Sequence, residues 1–119
     1  MTEYVYTLPE IPPSNNRFIG RRNNWAYQDE KKRWANLIAL NCRPKPDKPL
    51  DKATVKLTYF FKTRARRDPD NYSGKFILDG LVKAGIIKDD SFDVVTLRLV
   101  GKYDKIDPRT EIEILGDVK

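Results

Sequence analysis

Acidic side chains interrupt a strongly basic stretch of this chain. Residues 68–71 are Asp-Pro-Asp-Asn and directly follow Arg-Ala-Arg-Arg at 64–67, and a second acidic pair, Asp89 and Asp90, comes further along. Neighbouring carboxylates repel one another, and a bound cation relieves that repulsion. Mg²⁺ prefers a few carboxylate oxygens together with water and phosphate oxygens, and arginine side chains bind nucleic-acid phosphates. The pattern therefore favours metal-dependent chemistry on a polynucleotide.

Other common chemistries are excluded by residues that the chain lacks. It has no histidine and a single cysteine, Cys42. A serine or cysteine triad with a histidine base, a histidine-ligated zinc site, an internal disulfide and a multi-cysteine metal site are therefore ruled out. We expect Cys42 to be a small apolar residue near a helix end. Catalysis must then depend on Asp, Glu, Lys, Arg, Tyr or a metal.

Length and charge suggest one basic domain. The chain has 119 residues, of which 39% are hydrophobic, and its 23 basic against 17 acidic side chains give a net charge of +6. This length suits one domain with one core, and the positive charge suits an anionic partner such as nucleic acid. No apolar run approaches the roughly 18 residues that span a bilayer, and the first residues lack a signal-peptide pattern. We expect a cytoplasmic protein without a membrane partner.

The first half of the chain alternates between strand and helix patterns. Aromatic and β-branched residues predict a strand at residues 4–8, which prolines bring to an end. Apolar positions at helical spacing predict an amphipathic helix from about Trp25 to Asn41. The proline-rich residues 43–49 predict an extended connection, and the alternation of apolar and polar residues predicts a strand from Ala53 to Lys62.

The second half continues with a helix and two strands. The helix is predicted to begin at Asn71 or Ser73 and to end at Gly85. Its apolar stripe consists of Ile77, Leu78, Leu81 and Val82. Alternating apolar residues then predict strands at 94–100 and 111–114. The order β-α-β-α-β-β indicates an α+β fold: a single small domain in which two helices pack on one face of a mixed sheet.

The fold decides whether the acidic residues meet. Asp68 and Asp70 lie two positions apart around Pro69, in a turn whose shape the residue types do not determine. The helix that follows would separate its own ends by roughly 18 Å. Asp90 can therefore approach the first two aspartates only if the strand that follows it lies near the one ending at Lys62.

Purely structural explanations exist for each piece. Residues 68–71 could form a surface turn with helix-capping side chains, Asp89 and Asp90 a solvated loop, and the arginines at 64–67 a solvated sheet edge. A calcium-binding loop is disfavoured, because Tyr72 and Ser73 stand where such a loop needs a ligand and a glycine.

Four segments occur in this order along the chain: residues 8–17 (Leu-Pro-Glu-Ile-Pro-Pro-Ser-Asn-Asn-Arg), 66–71 (Arg-Arg-Asp-Pro-Asp-Asn), the helix with Lys75 and Asp79-Gly80-Leu81, and 85–90 (Gly-Ile-Ile-Lys-Asp-Asp). Taken together, they resemble the RusA endodeoxyribonucleases, which resolve Holliday junctions. The resemblance extends from about Tyr4 to Leu115, and it implies that residues 1–119 form one RusA-like Holliday junction resolvase domain.

The resemblance implies a homodimer that binds four-way DNA junctions and cuts two opposed strands during recombination and repair, using Mg²⁺ with Mn²⁺ as a substitute. It implies Asp68, Asp70 and Asp90 as the metal ligands and Lys75 as the essential catalytic lysine. The implied DNA-binding residues are Ser14, Asn15, Asn16, Arg17, Arg64, Arg66, Arg67 and Asn71. Asp89 is expected to shape its loop or to hydrogen-bond to a metal ligand, and Asp79 to position Lys75.

This chain departs from the family pattern in two places. Ala65 interrupts the basic run, and Ser73-Gly74 adds a residue before Lys75. Two other functions also remain open: a non-catalytic basic nucleic-acid-binding module, and a structural domain that binds another protein. The aromatic and basic residues 18–27 could form a mobile arm on DNA or pack onto the core.

Overall fold

The fold consists of two amphipathic helices and four strands in which apolar and polar residues alternate. The computed structural model describes residues 2–18 and 25–117. Within these ranges the elements are β1 (Thr2–Leu8), α1 (Trp25–Asn41), β2 (Lys52–Phe61), α2 (Lys75–Lys83), β3 (Val95–Tyr103) and β4 (Arg109–Asp117), with short 3-10 turns at Asn15–Phe18 and Pro69–Tyr72. The predicted β-α-β-α-β-β order and the α+β class are confirmed.

The four strands form one mixed sheet in the order β1-β4-β2-β3. β4 lies between β1 and β2 and is antiparallel to both. β3 is parallel to β2, with Ala53 opposite Val95 and Phe61 opposite Tyr103. β1 and β3 are therefore the edge strands of the sheet in the part of the chain that is described.

The parallel pairing follows from the path of α2. After β2 ends, the chain returns through α2 along the sheet, and Ile87 forms a parallel bridge with Leu50, just before β2 begins. A parallel neighbour requires a crossover of this kind. β3 consequently begins beside the beginning of β2 and ends beside its end.

The core lies between the helices and one face of the sheet. Trp34 and Ile38 of α1 and Ile77 and Leu81 of α2 are fully buried. They pack against a layer of buried strand residues that comprises Tyr6, Leu8, Val55, Leu57, Tyr59, Ile112 and Ile114. Truncating one such residue to alanine typically costs about 2–5 kcal/mol, so this layer holds the helices on the sheet.

Two glycines determine how α2 begins and how closely it approaches α1. The helix begins at Lys75, later than predicted, because Gly74 has a φ of 81°, outside the helical region. A Cβ at Gly80 would lie 2.6 Å from Cδ1 of Ile38, so glycine allows the close contact between the two helices.

The end of α2 agrees with the prediction. Gly85, with a φ of 77°, follows the last turn. Its amide donates to the Val82 carbonyl at 3.0 Å, and the Ile86 amide donates to that of Leu81 at 3.0 Å, as in a Schellman ending. None of the described helices is long and apolar enough to cross a membrane.

Candidate active site

Asp68 and Asp70 lie on a short turn beside the ends of β2 and β3. The amide of Asn71 donates to the carbonyl of Asp68 at 3.0 Å and closes the 3-10 turn Pro69–Tyr72. The ring of Tyr72, the last residue of this turn, packs edge-on against Phe61 of β2 at 5.1 Å. The aromatic contact fixes the turn on the sheet, and both carboxylates remain accessible to solvent.

The N-terminal segment contacts this turn directly. The side-chain amide of Asn15 donates to the carbonyl of Asp70 at 3.1 Å and to Oγ of Ser73 at 3.0 Å. Arg17, two positions on, is exposed. The predicted DNA-binding residues at 14–17 thus lie next to the acidic turn, although the side chain of Asn16 and residues 19–24 lie outside the described part of the chain.

Lys75 is the first residue of α2 and lies one residue beyond Gly74. Its Nζ is 5.0 Å from the ring centroid of Tyr27, in a cation–π arrangement that holds the ammonium group over the face of the ring. Tyr27 in turn packs on Phe76 at 5.3 Å. Lys75, the first residue of α2, is thereby held against Tyr27 of α1, close to the acidic turn.

Asp79 does not pair with Lys75, contrary to expectation. Its carboxylate lies 3.2 Å from Nζ of Lys83 and 3.9 Å from Nζ of Lys31. Lys83 is four residues after Asp79, so the two side chains lie on the same face of α2. Lys31 belongs to α1, which packs alongside α2. Tyr27, rather than Asp79, is the side chain that positions Lys75.

Arg64 and Arg66 extend from the loop after β2. Nε of Arg66 lies 3.2 Å from Oδ1 of Asp68, and its side chain is 88% exposed. The guanidinium of Arg64 stacks on the ring of Tyr103 at 4.2 Å. An exposed ion pair of this kind contributes little stability, so a phosphate can replace Asp68 as the partner of Arg66 at small cost.

Arg67 stabilises the loop itself. Its guanidinium stacks on Phe61 at 4.3 Å. Nη1 donates to the carbonyls of Thr63 and Ala65, and Nη2 to Oγ1 of Thr63, each at 3.0 Å. These bonds bend the chain so that Asp68 returns over the sheet. Arg67 therefore has a structural role in this loop, which the sequence does not suggest.

An aromatic cavity of about 80 Å³ opens beside Asp68. Its lining includes Tyr59, Phe61, Tyr72, Leu99 and Gly101 together with Asp68. The hydroxyl of Tyr59 is buried and has no hydrogen-bond partner among the described residues. Burial also raises the pKa of this hydroxyl well above its usual value, so it stays protonated.

Asp89 and Asp90 lie at the other end of the sheet. They follow Lys88, whose amide donates to the carbonyl of Leu50, and precede Asp93, whose carbonyl accepts a bond from Lys52 at 2.6 Å. These contacts set their loop beside the beginning of β2. Oδ1 of Asp89 accepts a bond from the amide of Asp90 at 2.9 Å, in keeping with a role in shaping the loop.

One chain therefore does not bring the three predicted metal ligands together. Asp68 is level with the last residues of β2, and Asp90 is level with its first residue. The ten residues of β2, at about 3.3 Å each, correspond to roughly 30 Å. Accordingly, no group of three acidic or cysteine side chains in the described ranges could hold a metal ion.

The donor set at the acidic turn nonetheless suits a hard divalent cation. Asp68 and Asp70 provide carboxylate oxygens that face solvent, and no softer ligand is available because the chain has no histidine and its one cysteine is buried. Two carboxylates with water and phosphate oxygens are the usual protein contribution to a Mg²⁺ site.

Comparison with known protein families supports the resemblance seen in the sequence. A family model described as Endodeoxyribonuclease RusA matches residues 9–115. A search of curated proteins finds no match. The matched range includes the acidic turn, Lys75, the basic loop 64–67 and the loop of Asp90, and it covers the four segments on which the resemblance was based except for Leu8. The chain therefore belongs to the RusA family of endodeoxyribonucleases, the Holliday junction resolvases.

Proposed function

We propose that this protein is a Mg²⁺-dependent, structure-selective endodeoxyribonuclease that resolves four-way DNA junctions by paired nicking in recombination and repair. The observation that carries the proposal is the acidic turn of Asp68 and Asp70, which lies beside Arg66 and Asn15 at one end of the sheet. A carboxylate pair set among phosphate-binding side chains suits phosphodiester cleavage. The protein would act as a homodimer on branched DNA in the cytoplasm.

Asp68, Asp70 and Asp90 would hold the metal, with Mn²⁺ able to replace Mg²⁺. When bound, the metal would polarise the scissile phosphate and lower the pKa of a water molecule. Lys75 would place a positive charge close to the phosphate as negative charge accumulates on it. The cation–π contact with Tyr27 supports this role, because it holds the ammonium group in position before DNA arrives.

DNA would be held through its backbone. Arg64 and Arg66 would bind phosphates on the rim of the site, while Arg67 keeps the loop folded. Asn71 and the segment 14–17 would contact the same strand, because Asn15 is hydrogen-bonded to the acidic turn. Such contacts recognise the shape of a junction more than its bases, and binding would weaken steeply with salt.

A second chain would complete each site. Asp90 is roughly 30 Å from the acidic turn of its own chain, judged from the length of β2. In an isologous dimer the same two surfaces meet twice, so Asp90 of each chain could reach the acidic turn of the other. The two resulting sites would be related by a two-fold axis, which matches the approximate symmetry of a four-way junction.

Single substitutions test the ligands. Asp70→Asn and Asp90→Asn each keep the size of the side chain and remove its charge. We expect both variants to bind a synthetic four-way junction like the wild type, and to cut it about a hundredfold or more slowly with Mg²⁺. Asp47→Asn, an exposed aspartate in the connection between α1 and β2, is the matched control and should cut normally.

Mixing the two inactive variants tests whether the site is shared. In a dimer of one Asp70→Asn chain and one Asp90→Asn chain, one site has lost both ligands and the other has lost neither. Co-refolding equal amounts should restore roughly a quarter of the wild-type cleavage, as single nicks rather than paired ones. No recovery would contradict a shared site, and junction binding without Mg²⁺-dependent cutting by the wild type would favour the non-catalytic module.

A further inference from the structure

A short loop carries an exposed isoleucine over the end of β2. β3 and β4 are not neighbours in the sheet, so the crossing loop that joins them, residues 104–108, passes over the end of β2 between them. The amide of Asp104 donates to the carbonyl of Phe61, the last residue of β2, at 2.8 Å. Ile106, the middle residue of the crossing loop, is 93% exposed. A single apolar side chain in water is ordinary on a protein surface, so its meaning depends on its surroundings.

The crossing loop is held in one shape by its own side chains. Oδ1 of Asp104 accepts bonds from the amides of Ile106 at 3.1 Å and of Asp107 at 3.0 Å. Nη1 of Arg109 donates to Oδ2 of Asp104 and to the carbonyl of Asp107, each at 2.9 Å. The guanidinium of Arg109 also stacks on Phe60 at 3.8 Å. The amide of Asp107 and the guanidinium of Arg109 lower the pKa of Asp104 below its usual value, so the carboxylate stays charged and keeps these bonds.

The surface around this isoleucine is suited to DNA. Lys102 and Lys105 are exposed on the same stretch of chain. The guanidinium of Arg64 stacks on Tyr103, the last residue of β3, at 4.2 Å, which places the loop after β2 beside the crossing loop. The two aspartates of the crossing loop are paired with Arg109. Positive charge therefore flanks an apolar tip, as in proteins that hold DNA by its phosphates and insert an apolar side chain between bases.

The crossing loop lies at the same end of the sheet as the acidic turn. Phe61 contacts both, because its carbonyl accepts the bond from Asp104 and its ring packs against Tyr72 at 5.1 Å. A DNA strand whose phosphate reaches Asp68 and Asp70 would therefore pass close to the crossing loop.

Insertion of an apolar side chain distinguishes branched DNA from a duplex. Insertion into an intact duplex breaks the stacking of a base step, which costs a few kcal/mol. The cost is smaller where bases are already unpaired or unstacked. At the branch point of a four-way junction the strands change partners, so base stacks end there and open at lower cost. A braced apolar tip beside the cutting site would thus favour a branch point over an uninterrupted arm.

We propose that Ile106 inserts between bases at the branch point of a four-way junction, and that the crossing loop holds it in position to do so. This inference rests on the proposed function, because it takes the bound DNA to be the junction that the acidic turn cuts. It adds a source of junction selectivity to the backbone contacts of the arginines. Arg109 is a positioning residue, since it acts through the crossing loop.

Ile106→Ser tests the insertion. The side chain faces solvent rather than the core, so the variant should fold like the wild type and unfold at the same urea concentration. Binding is measured without Mg²⁺, so that the DNA is not cut. We expect the preference for a junction over a duplex to fall at least about tenfold, with duplex affinity unchanged. Ile106→Leu should keep the preference. Leu40→Ser, at an apolar residue that is 70% exposed on α1, is the matched control and should bind like the wild type.

A fluorescent base reports the insertion directly. 2-Aminopurine is quenched within a base stack and brightens when the stack opens. Placed at the branch point, it should brighten when the wild type binds, and it should stay quenched when Ile106→Ser saturates the same junction. Placed in the middle of an arm, it should stay quenched with both proteins.

Three results would overturn the inference: an unchanged junction preference in Ile106→Ser, an equal loss of junction and duplex affinity, or the same branch-point fluorescence with both proteins. Dissociation of a wild-type dimer by Ile106→Ser would assign the side chain to subunit pairing and equally overturn it.

Failure of the insertion is separable from failure of the proposed function. A wild type that cuts junctions with Mg²⁺, but whose junction preference does not depend on Ile106, refutes only the insertion. A wild type that brightens the branch-point base through Ile106, but does not cut with Mg²⁺, refutes only the nuclease. A wild type without affinity for the junction refutes both.

Discussion

Gly74 joins the acidic turn to α2, and its replacement by alanine should destabilise the protein in a measurable way. Two costs arise. At a φ of 81°, alanine is strained by about 1–2 kcal/mol. A Cβ at this position would also clash with Cδ1 of Leu57, a fully buried side chain that cannot move aside freely, and overpacking of this kind costs about 1–3 kcal/mol.

Gly85→Ala isolates the first cost. Gly85 has nearly the same φ, 77°, but a Cβ there would meet nothing within 4 Å. Both substitutions also stiffen the unfolded chain, which returns about 0.4–1 kcal/mol in each case. We therefore expect Gly85→Ala to lower the free energy of unfolding by about 1 kcal/mol, and Gly74→Ala to lower it by a further 1–3 kcal/mol.

The measurement is urea denaturation of both variants, followed by tryptophan fluorescence, in which the buried Trp34 reports the loss of the core. The midpoint should fall further for Gly74→Ala while the slope with urea stays constant, since the surface exposed on unfolding is unchanged. Equal destabilisation by the two alanines would refute the reasoning, because it would mean that Leu57 yields to the new methyl group without cost.

Two further predictions concern buried groups. Tyr59→Phe removes a buried hydroxyl that lacks a hydrogen-bond partner in the described ranges, so it should raise the melting temperature, equivalent to a gain of up to about 1 kcal/mol; a clear decrease would show that the hydroxyl is satisfied. Burial raises the pKa of Cys42 from 9.0 to about 12, so at pH 8 the folded protein should react with DTNB far more slowly than the denatured chain. Since the unfolded thiol ionises first, the stability contributed by the neutral thiol should decline as the pH rises from 9.0 towards 12, and rapid labelling of native protein would contradict the burial of Cys42.

The elements of the fold could be predicted because periodicity reports burial directly. The alternation around Val55 and Leu57 and the helical spacing of Trp34 and Ile38 correspond to side chains that are fully buried. That α2 ends just before Gly85 was equally predictable, because glycine tolerates the positive φ that terminates a helix. The beginning of α2 could not be predicted in the same way, because Ser73 is also a plausible capping residue. The structure shows that the chain turns at Gly74, which has a positive φ and lies against Leu57.

The arrangement of the site could be predicted only in part. That Asp68, Asp70 and the arginines share one loop follows from adjacency in the chain. The separation of Asp90 does not, because it depends on β3 pairing parallel to β2, a matter of topology rather than of local residue preference. The partner of Lys75 was also missed: an aspartate four residues away is the obvious candidate, whereas Tyr27 comes from the other helix and leaves no pattern in the sequence.

The parallel pairing of β2 and β3 has a consequence for how such an enzyme would behave in a cell. If the carboxylates of each catalytic centre come from two polypeptides, a newly made solitary chain cannot damage a chromosome. Below the concentration at which half the chains are paired, cleavage would rise with the square of abundance, so that a modest increase in expression would give a disproportionate increase in incision.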